Sequence, residues 1–217
     1  MLVTERSLIK LPPGVEPAEV APHADAGITA YHAVSRIAHL AKPGTNVAVI
    51  GVGGVGHIAV QLLHELGSGR VLAIDTDERR RRLAREVGAD EVLEGGPEMV
   101  ATVRDATDGR GADVVVDFVG TDQTHADAMA MLARNGSYSI VGYGGTLSLP
   151  SLLMITNEQS LVGNLVGSWT DLWELVQLHA AGRVKLKSET HPLSEVNEVL
   201  AKLREGEVTG RAVLVPG

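Results

Sequence analysis

The chain has 217 residues, of which 44% are apolar and 3% aromatic, a formal net charge of −8 and no cysteine. That length gives room for a buried core in one large domain or a domain and a half. The composition excludes disulfides and thiolate metal sites. The acidic balance, with its one dense basic run at Arg79–Arg82 flanked by acids, does not form a nucleic-acid footprint, and no apolar stretch reaches membrane-spanning length. The N-terminus lacks the pattern of a signal peptide, so a soluble cytoplasmic protein is the expectation.

Residues 1–40 read as an initial segment, extended over "LIKLPPGV" and helical over "PAEVAPHADAGITAYHAVSRIAHL", packed on a sheet rather than forming a domain. From Val47 onward, short apolar runs alternate with longer helical patterns. Val47–Ile50 reads as a buried strand. Val55–Leu66 has apolar residues at 55, 58, 59, 62 and 66, the spacing of one helix face. Val71–Ile74 is a second strand, Asp77–Val87 a charged helix, Val92–Leu93 a short third strand and Met99–Ala106 a helix. "ADVVVDFVG" (112–120) is a fourth strand without polar alternation, as expected when both faces are covered. A helix at His125–Leu132, a fifth strand and turn at Gly136–Gly145 and a sixth strand at Leu161–Val166 come next. Helices at Thr170–Ala181 and Ser194–Arg204 and a last strand at Arg211–Val215 complete the pattern. Strands alternating with helices in this way indicate a doubly wound parallel sheet, a three-layer α/β/α arrangement.

The densest motif is "NVAVIGVGGVGHIAVQLL" (46–63). Gly51, Gly53 and Gly56 fit G-x-G-x-x-G directly after a strand and at the opening of a helix. In that context the first glycine permits a tight turn, the second lets backbone approach a pyrophosphate, and the third lets helix and strand pack closely. The phosphates would rest on free N–H groups at the helix N-terminus. A glycine-rich turn without ligand is the competing reading. Asp75 lies 19 residues after Gly56, at the carboxyl end of the second strand. An acid there is the expected partner of adenosine ribose hydroxyls, and its charge would repel a 2′-phosphate, which favours NAD over NADP. The competing role for Asp75 is a cap for the helix that starts near Asp77. No G-x-x-x-x-G-K-[ST] is present, which excludes a P-loop. The glycine spacing disfavours a methyltransferase. The Tyr-x-x-x-Lys of a short-chain dehydrogenase is missing, since Tyr31, Tyr138 and Tyr143 are followed four residues on by Ser35, Gly142 and Leu147. Residues 41–217 are therefore read as one NAD-binding Rossmann domain.

These motifs, together with "ADAGITAYHAV", "LAIDTDERRRRLAREVGAD" and "GRAVLVP", resemble the cofactor-binding half of the zinc-containing alcohol dehydrogenases, within the medium-chain dehydrogenase/reductase family. The resemblance covers nearly the whole chain. It implies a pyrophosphate loop at Gly51, Gly53, Gly54, Val55 and Gly56, with Asp75 on the ribose and Arg80 nearby. Val119 and Gly120 match the turn beside the adenine and its ribose. Val141, Gly142, Leu165 and Val166 match segments lining the nicotinamide, and Arg211 matches a residue that reaches the phosphates. For Arg80 and Arg211 the alternative is a solvated surface arginine. Asp25 stands where many members of the family have a zinc-ligating cysteine. A carboxylate is an acceptable zinc ligand, and a helix N-cap is the alternative role.

In the resembled family the active site lies between this half and a GroES-like β domain, which supplies the other zinc ligands and the proton relay. With no cysteines and no such β domain in the sequence, no catalytic residue is assigned. His23, His32, His39 and His57 show no zinc-ligand spacing, and zinc is expected to be absent. Three functions are open. The chain is the NAD(H)-binding domain of a zinc-type alcohol dehydrogenase, binding cofactor without efficient turnover alone; or it is a free-standing NAD-binding sensor or a subunit of a two-chain enzyme; or it is a zinc-free reductase of the quinone-reductase type. The resemblance also implies a homodimer paired through an edge strand at Leu161–Ser168, an apolar edge being a liability when uncovered.

Overall fold

The computed structural model describes residues 3–217. A short helix α1 (Pro17–Val20) and a longer α2 (Ala26–Ile37) precede the first strand. The chain then alternates β1 (Asn46–Ile50), α3 (Gly56–Leu66), β2 (Arg70–Asp75), α4 (Glu78–Glu86), β3 (Glu91–Glu94), α5 (Met99–Ala106), β4 (Ala112–Asp117) and α6 (Asp122–Met131). After β5 (Leu132–Ile140), α7 (Ser151–Asn157), β6 (Ser160–Gly163) and α8 (Trp169–Ala180) come β7 (Ser188–Pro192), α9 (Val196–Arg204) and β8 (Arg211–Val215).

Six strands form one sheet in the order β3-β2-β1-β4-β5-β6, and every pairing is parallel. This is the doubly wound, three-layer α/β/α arrangement. Because successive side chains of a strand point to opposite faces, β1, β2 and β4 each feed both cores. Val47 and Val49 of β1, with Val71, Ala73, Val114 and Val116, pack against α2, α3 and α8. Ala48 and Ile50, with Leu72, Ile74 and Val115, pack against α5 and α6. Ala26, Ala30, Tyr31, Val34 and Ile37 of α2 belong to the first core. The strand order reverses between β1 and β4, which opens a crevice at the carboxyl ends of those strands.

Several expected boundaries are corrected. β4 ends at Asp117, not Gly120, because the Asp117 carboxylate captures the N–H groups of Val119 and Gly120 and turns the chain. The helix after it starts at Asp122, where the Thr121 side chain accepts the Thr124 N–H as an N-cap. β5 starts at Leu132: it pairs with Ala112, bulges through Asn135 (φ +59°), and rejoins β4 at Ser137. The sixth strand covers Ser160–Gly163 only, and Val166 adopts a left-handed φ of +47° beyond it. The last strand, β8, does not join the main sheet. It pairs in parallel with β7, Ser188 opposite Arg211, as a separate two-stranded unit. Among the described residues no helix is long and apolar enough to cross a membrane.

Candidate functional site

The glycine loop closes the exit of β1. The Gly51 N–H donates to the Ile74 carbonyl of β2 at 2.8 Å. Gly51 has a φ of +85°, which an L side chain rarely adopts. A β-carbon on Gly56 would lie against the Gly51 carbonyl oxygen, inside van der Waals contact. The first turn of α3 therefore packs directly on the backbone that leaves β1. Gly53 faces open space, with nothing within 4 Å of where its β-carbon would lie. Gly54 lies under Arg211, whose Cδ would be 2.8 Å from a β-carbon there. Gly51, Gly53, Gly54, Val55 and Gly56 surround a recess of about 160 Å³ together with Arg80, Phe118, Val119 and Arg211.

Asp75, 6% exposed, ends β2 beside this recess. Its Oδ2 accepts the Val52 N–H at 2.8 Å and its Oδ1 accepts the Asp77 N–H at 3.0 Å. A carboxylate offers about four lone-pair sites, so each oxygen retains one acceptor site. The Arg80 guanidinium stands 3.9 Å from Oδ1. The cap of α4 is a different residue: Asp77 accepts the Arg79 N–H at 2.7 Å. A cleft of about 610 Å³ opens next to Asp75, walled by Gly51, Thr76, Arg80, Pro97 and Val119. A larger groove of about 800 Å³, flanked by Arg104, Arg110 and Arg134, shares no residue with the loop. The smaller pair of recesses sits at the strand-order reversal, where this topology places ligands, and volume does not outweigh that position.

Asp117, the last residue of β4, is fully buried. Its Oδ1 accepts the N–H groups of Val119 (2.7 Å) and Gly120 (3.0 Å), and its Oδ2 accepts the Tyr138 hydroxyl at 2.9 Å. The Tyr138 oxygen is in turn 2.6 Å from His125 Nδ1. Burial and the Asp117 charge push the Tyr138 hydroxyl well above its ordinary pKa. The Asp117 carbonyl accepts the N–H groups of Val141 (3.0 Å) and Gly142 (2.9 Å), which locks the ends of β4 and β5 together. A buried carboxylate is tolerated only with such partners. The sole signal in the sequence is an acid at the end of "VVVD". Gly120, Val141, Gly142, Leu165 and Val166 line neither recess, and Leu165 is 85% exposed.

Asp25 occupies the N-cap position of α2 but makes no side-chain cap. Its carboxylate, 76% exposed, instead sits 3.2 Å from the Arg211 guanidinium. Among the described residues no group of three or more His, Cys, Asp or Glu side chains could hold a metal. A single exposed carboxylate already engaged by an arginine does not fit a catalytic zinc, which needs about three protein ligands. The histidines divide. His23 and His57 are buried, His32 bonds Asp171 (3.0 Å), and His39 is exposed. Burial pushes His23 down to about 3, with His179, 3.1 Å from its Nε2, and His57 adding to the shift.

The fold and this loop define a dehydrogenase-type nucleotide-binding unit. Residues 54–181 match the family profile described as zinc-binding dehydrogenase, and the chain belongs to that family. An alcohol dehydrogenase from Aeropyrum pernix superposes with a TM-score of 0.95 at 46% identity, covering 100% of this chain and 64% of that one. An NAD-dependent alcohol dehydrogenase of Sulfurisphaera tokodaii is 33% identical, covering 91% of this chain and 58% of that protein. A D-arabinose 1-dehydrogenase (NADP(+)) of Saccharolobus solfataricus is 34% identical, covering 100% of this chain and 63% of that protein. The chain thus spans about three fifths of the length of the relatives it matches.

Proposed function

We propose that this chain is the NAD(H)-binding part of a zinc-type alcohol dehydrogenase, which moves a hydride between an alcohol and NAD. The observation that carries the reading is the recess where Gly51, Gly53, Gly54, Val55 and Gly56 meet Arg211, with Asp75 at its flank. The loop N–H groups and the Arg211 guanidinium suit a pyrophosphate, since the helix N-terminus and an arginine fork both favour its charge. Asp75 would take the adenosine ribose hydroxyls on its two spare acceptor sites, with Arg80 alongside. Val119 and Gly120 would border the adenosine, and Val141, Gly142, Leu165 and Val166 the nicotinamide side. Bound NAD would supply the hydride chemistry itself.

The chain's own contribution is position and selectivity. Asp75 is fixed through both oxygens, so it cannot swing aside for a 2′-phosphate, and NAD is favoured over NADP. This rests on the residue itself, because the relatives include both an NAD-dependent and an NADP-dependent enzyme. Asp25 would ligate zinc only in company with donors from outside this chain. Residues 1–40 would serve as a packing segment for the Rossmann unit at 41–217. A homodimer paired through β6 is supported by that strand's place at the sheet edge and by the exposed Leu165 and Val166 next to it. Steady-state assay with NAD and simple alcohols tests the enzymatic half of the proposal: the chain alone should show no appreciable turnover. A rate like that of an intact dehydrogenase would overturn it. Sedimentation as a clean monomer at high concentration would overturn the dimer.

A further inference from the structure

We infer that His57 is a positioning residue that fixes the distance between the two halves of the phosphate recess; the inference rests on the dinucleotide reading above. Those halves belong to different bodies. The loop N–H groups come from the β1–α3 junction, whereas Arg211 comes from the two-stranded unit β7–β8, which has no ladder to the main sheet. His57 lies between them on the first turn of α3 and is fully buried. Its Nδ1 is 2.8 Å from the Gly53 carbonyl, inside the glycine loop. Its Nε2 is 3.3 Å from the Lys187 backbone nitrogen. A backbone N–H can only donate, so Nε2 accepts it and the proton sits on Nδ1, donating to Gly53. The neutral ring thus spends both nitrogens on the two bodies.

Lys187 leads directly to the arginine. Its carbonyl accepts the Arg211 N–H at 2.8 Å, and Gly210 packs on that same carbonyl. One turn further along α3, Gln61 ties the same segment by exchanging two hydrogen bonds with the Lys185 backbone, at 2.9 and 2.8 Å. Gln61 moors the segment to the helix alone. His57 also grips the Gly53 carbonyl, so it ties the segment to the loop backbone that faces the recess. The Arg211 guanidinium rests over Gly54, one residue away from that carbonyl.

Three substitutions separate positioning from bulk packing. His57→Leu removes both bonds, His57→Asn keeps an N–H where Nδ1 lies, and His57→Gln keeps an acceptor where Nε2 lies. Each is titrated with NADH by calorimetry, alone and with Arg211→Met, and each is melted without ligand. The expected result is a roughly tenfold weaker NADH dissociation constant for His57→Leu, partial recovery in Asn and in Gln, and a much smaller effect of His57→Leu once Arg211 is gone. A packing role would give the same loss with or without Arg211. The inference is overturned if His57→Leu binds within about twofold of the native chain, or if its loss is undiminished in the Arg211→Met background. Should His57→Leu fail to fold, Asn and Gln are compared in both Arg211 backgrounds under the same two criteria. A native chain that does not bind NADH overturns the cofactor reading and this inference with it, whereas native binding with indifferent variants overturns this inference alone.

Discussion

Asp75→Ala perturbs the empty protein as well as any bound cofactor. In the structure its carboxylate accepts two backbone N–H groups, Val52 in the glycine loop and Asp77 at the start of α4. Hydrogen bonds to a charged group contribute about 1.5–3 kcal/mol each. Val52 is buried and would be left with an unpaired donor, whereas the Asp77 N–H lies nearer to solvent. Taking the lower end for both gives a loss of about 3 kcal/mol. For a chain of this size that corresponds to roughly 6–12 °C in Tm. Guanidinium denaturation of the ligand-free protein checks it. Asp75→Asn, which keeps one acceptor oxygen, should lose less. An unchanged unfolding midpoint in Asp75→Ala would refute the claim that this carboxylate holds the loop. If the loss is found, weakened NADH binding by Asp75→Ala counts as a ribose effect only beside the stability of the empty variant.

Gly56→Ala should destabilise the chain by several kcal/mol and abolish NADH binding, because its β-carbon would collide with the Gly51 carbonyl; thermal melting and titration read both, and a native-like melt would contradict the close approach. Arg211→Met should weaken NADH about tenfold and flatten the salt dependence of binding, measured by titration across ionic strength; an unaltered salt slope would mean the guanidinium is a surface charge. Stability should fall as pH drops below about 6.5. His57 is held below its ordinary pKa mainly by burial, as is His23, at about 3. The unfolded chain therefore binds protons that the folded chain does not, and each such group costs up to ~1.4 kcal/mol per pH unit in that window. Denaturation midpoints measured at neutral pH and about one unit below the ordinary histidine pKa check the sign; a midpoint that rises on acidification would contradict it.

How much was legible in the sequence depended on where each residue's partners lie. β1, β2 and β4 announce themselves because they are buried on both faces and read as unbroken apolar runs. The glycine loop was legible for a similar reason: its constraints are local, between Gly51 and Gly56. β7 was not legible. "SETHP" has no apolar alternation and is mostly exposed, and it is a strand only because β8 pairs with it. α7 buries no residue, and Leu152 and Ile155 are exposed, so it presents no helical face to find. The start of β5 is disguised by the bulge at "ARNG". Within the proposed site, the glycines and Asp75 stand out in the sequence by spacing, and the cap of α4 falls to Asp77 rather than Asp75. Asp117 and His57 carry no spacing signal, because their partners are backbone groups and, for Asp117, also the Tyr138 hydroxyl. For His57 the partner Lys187 is 130 residues away. Spacing rules see neither.

The most direct test is a pair of calorimetric titrations of the native chain, one with NADH and one with NADPH. A fixed, nearly buried carboxylate at Asp75 and an arginine-topped glycine recess should give clear NADH binding and a much weaker response to NADPH. Equal affinity for the two would contradict the role given to Asp75. Binding of neither would contradict the central claim, leaving the glycine loop a structural turn and the chain a family member without a working cofactor site.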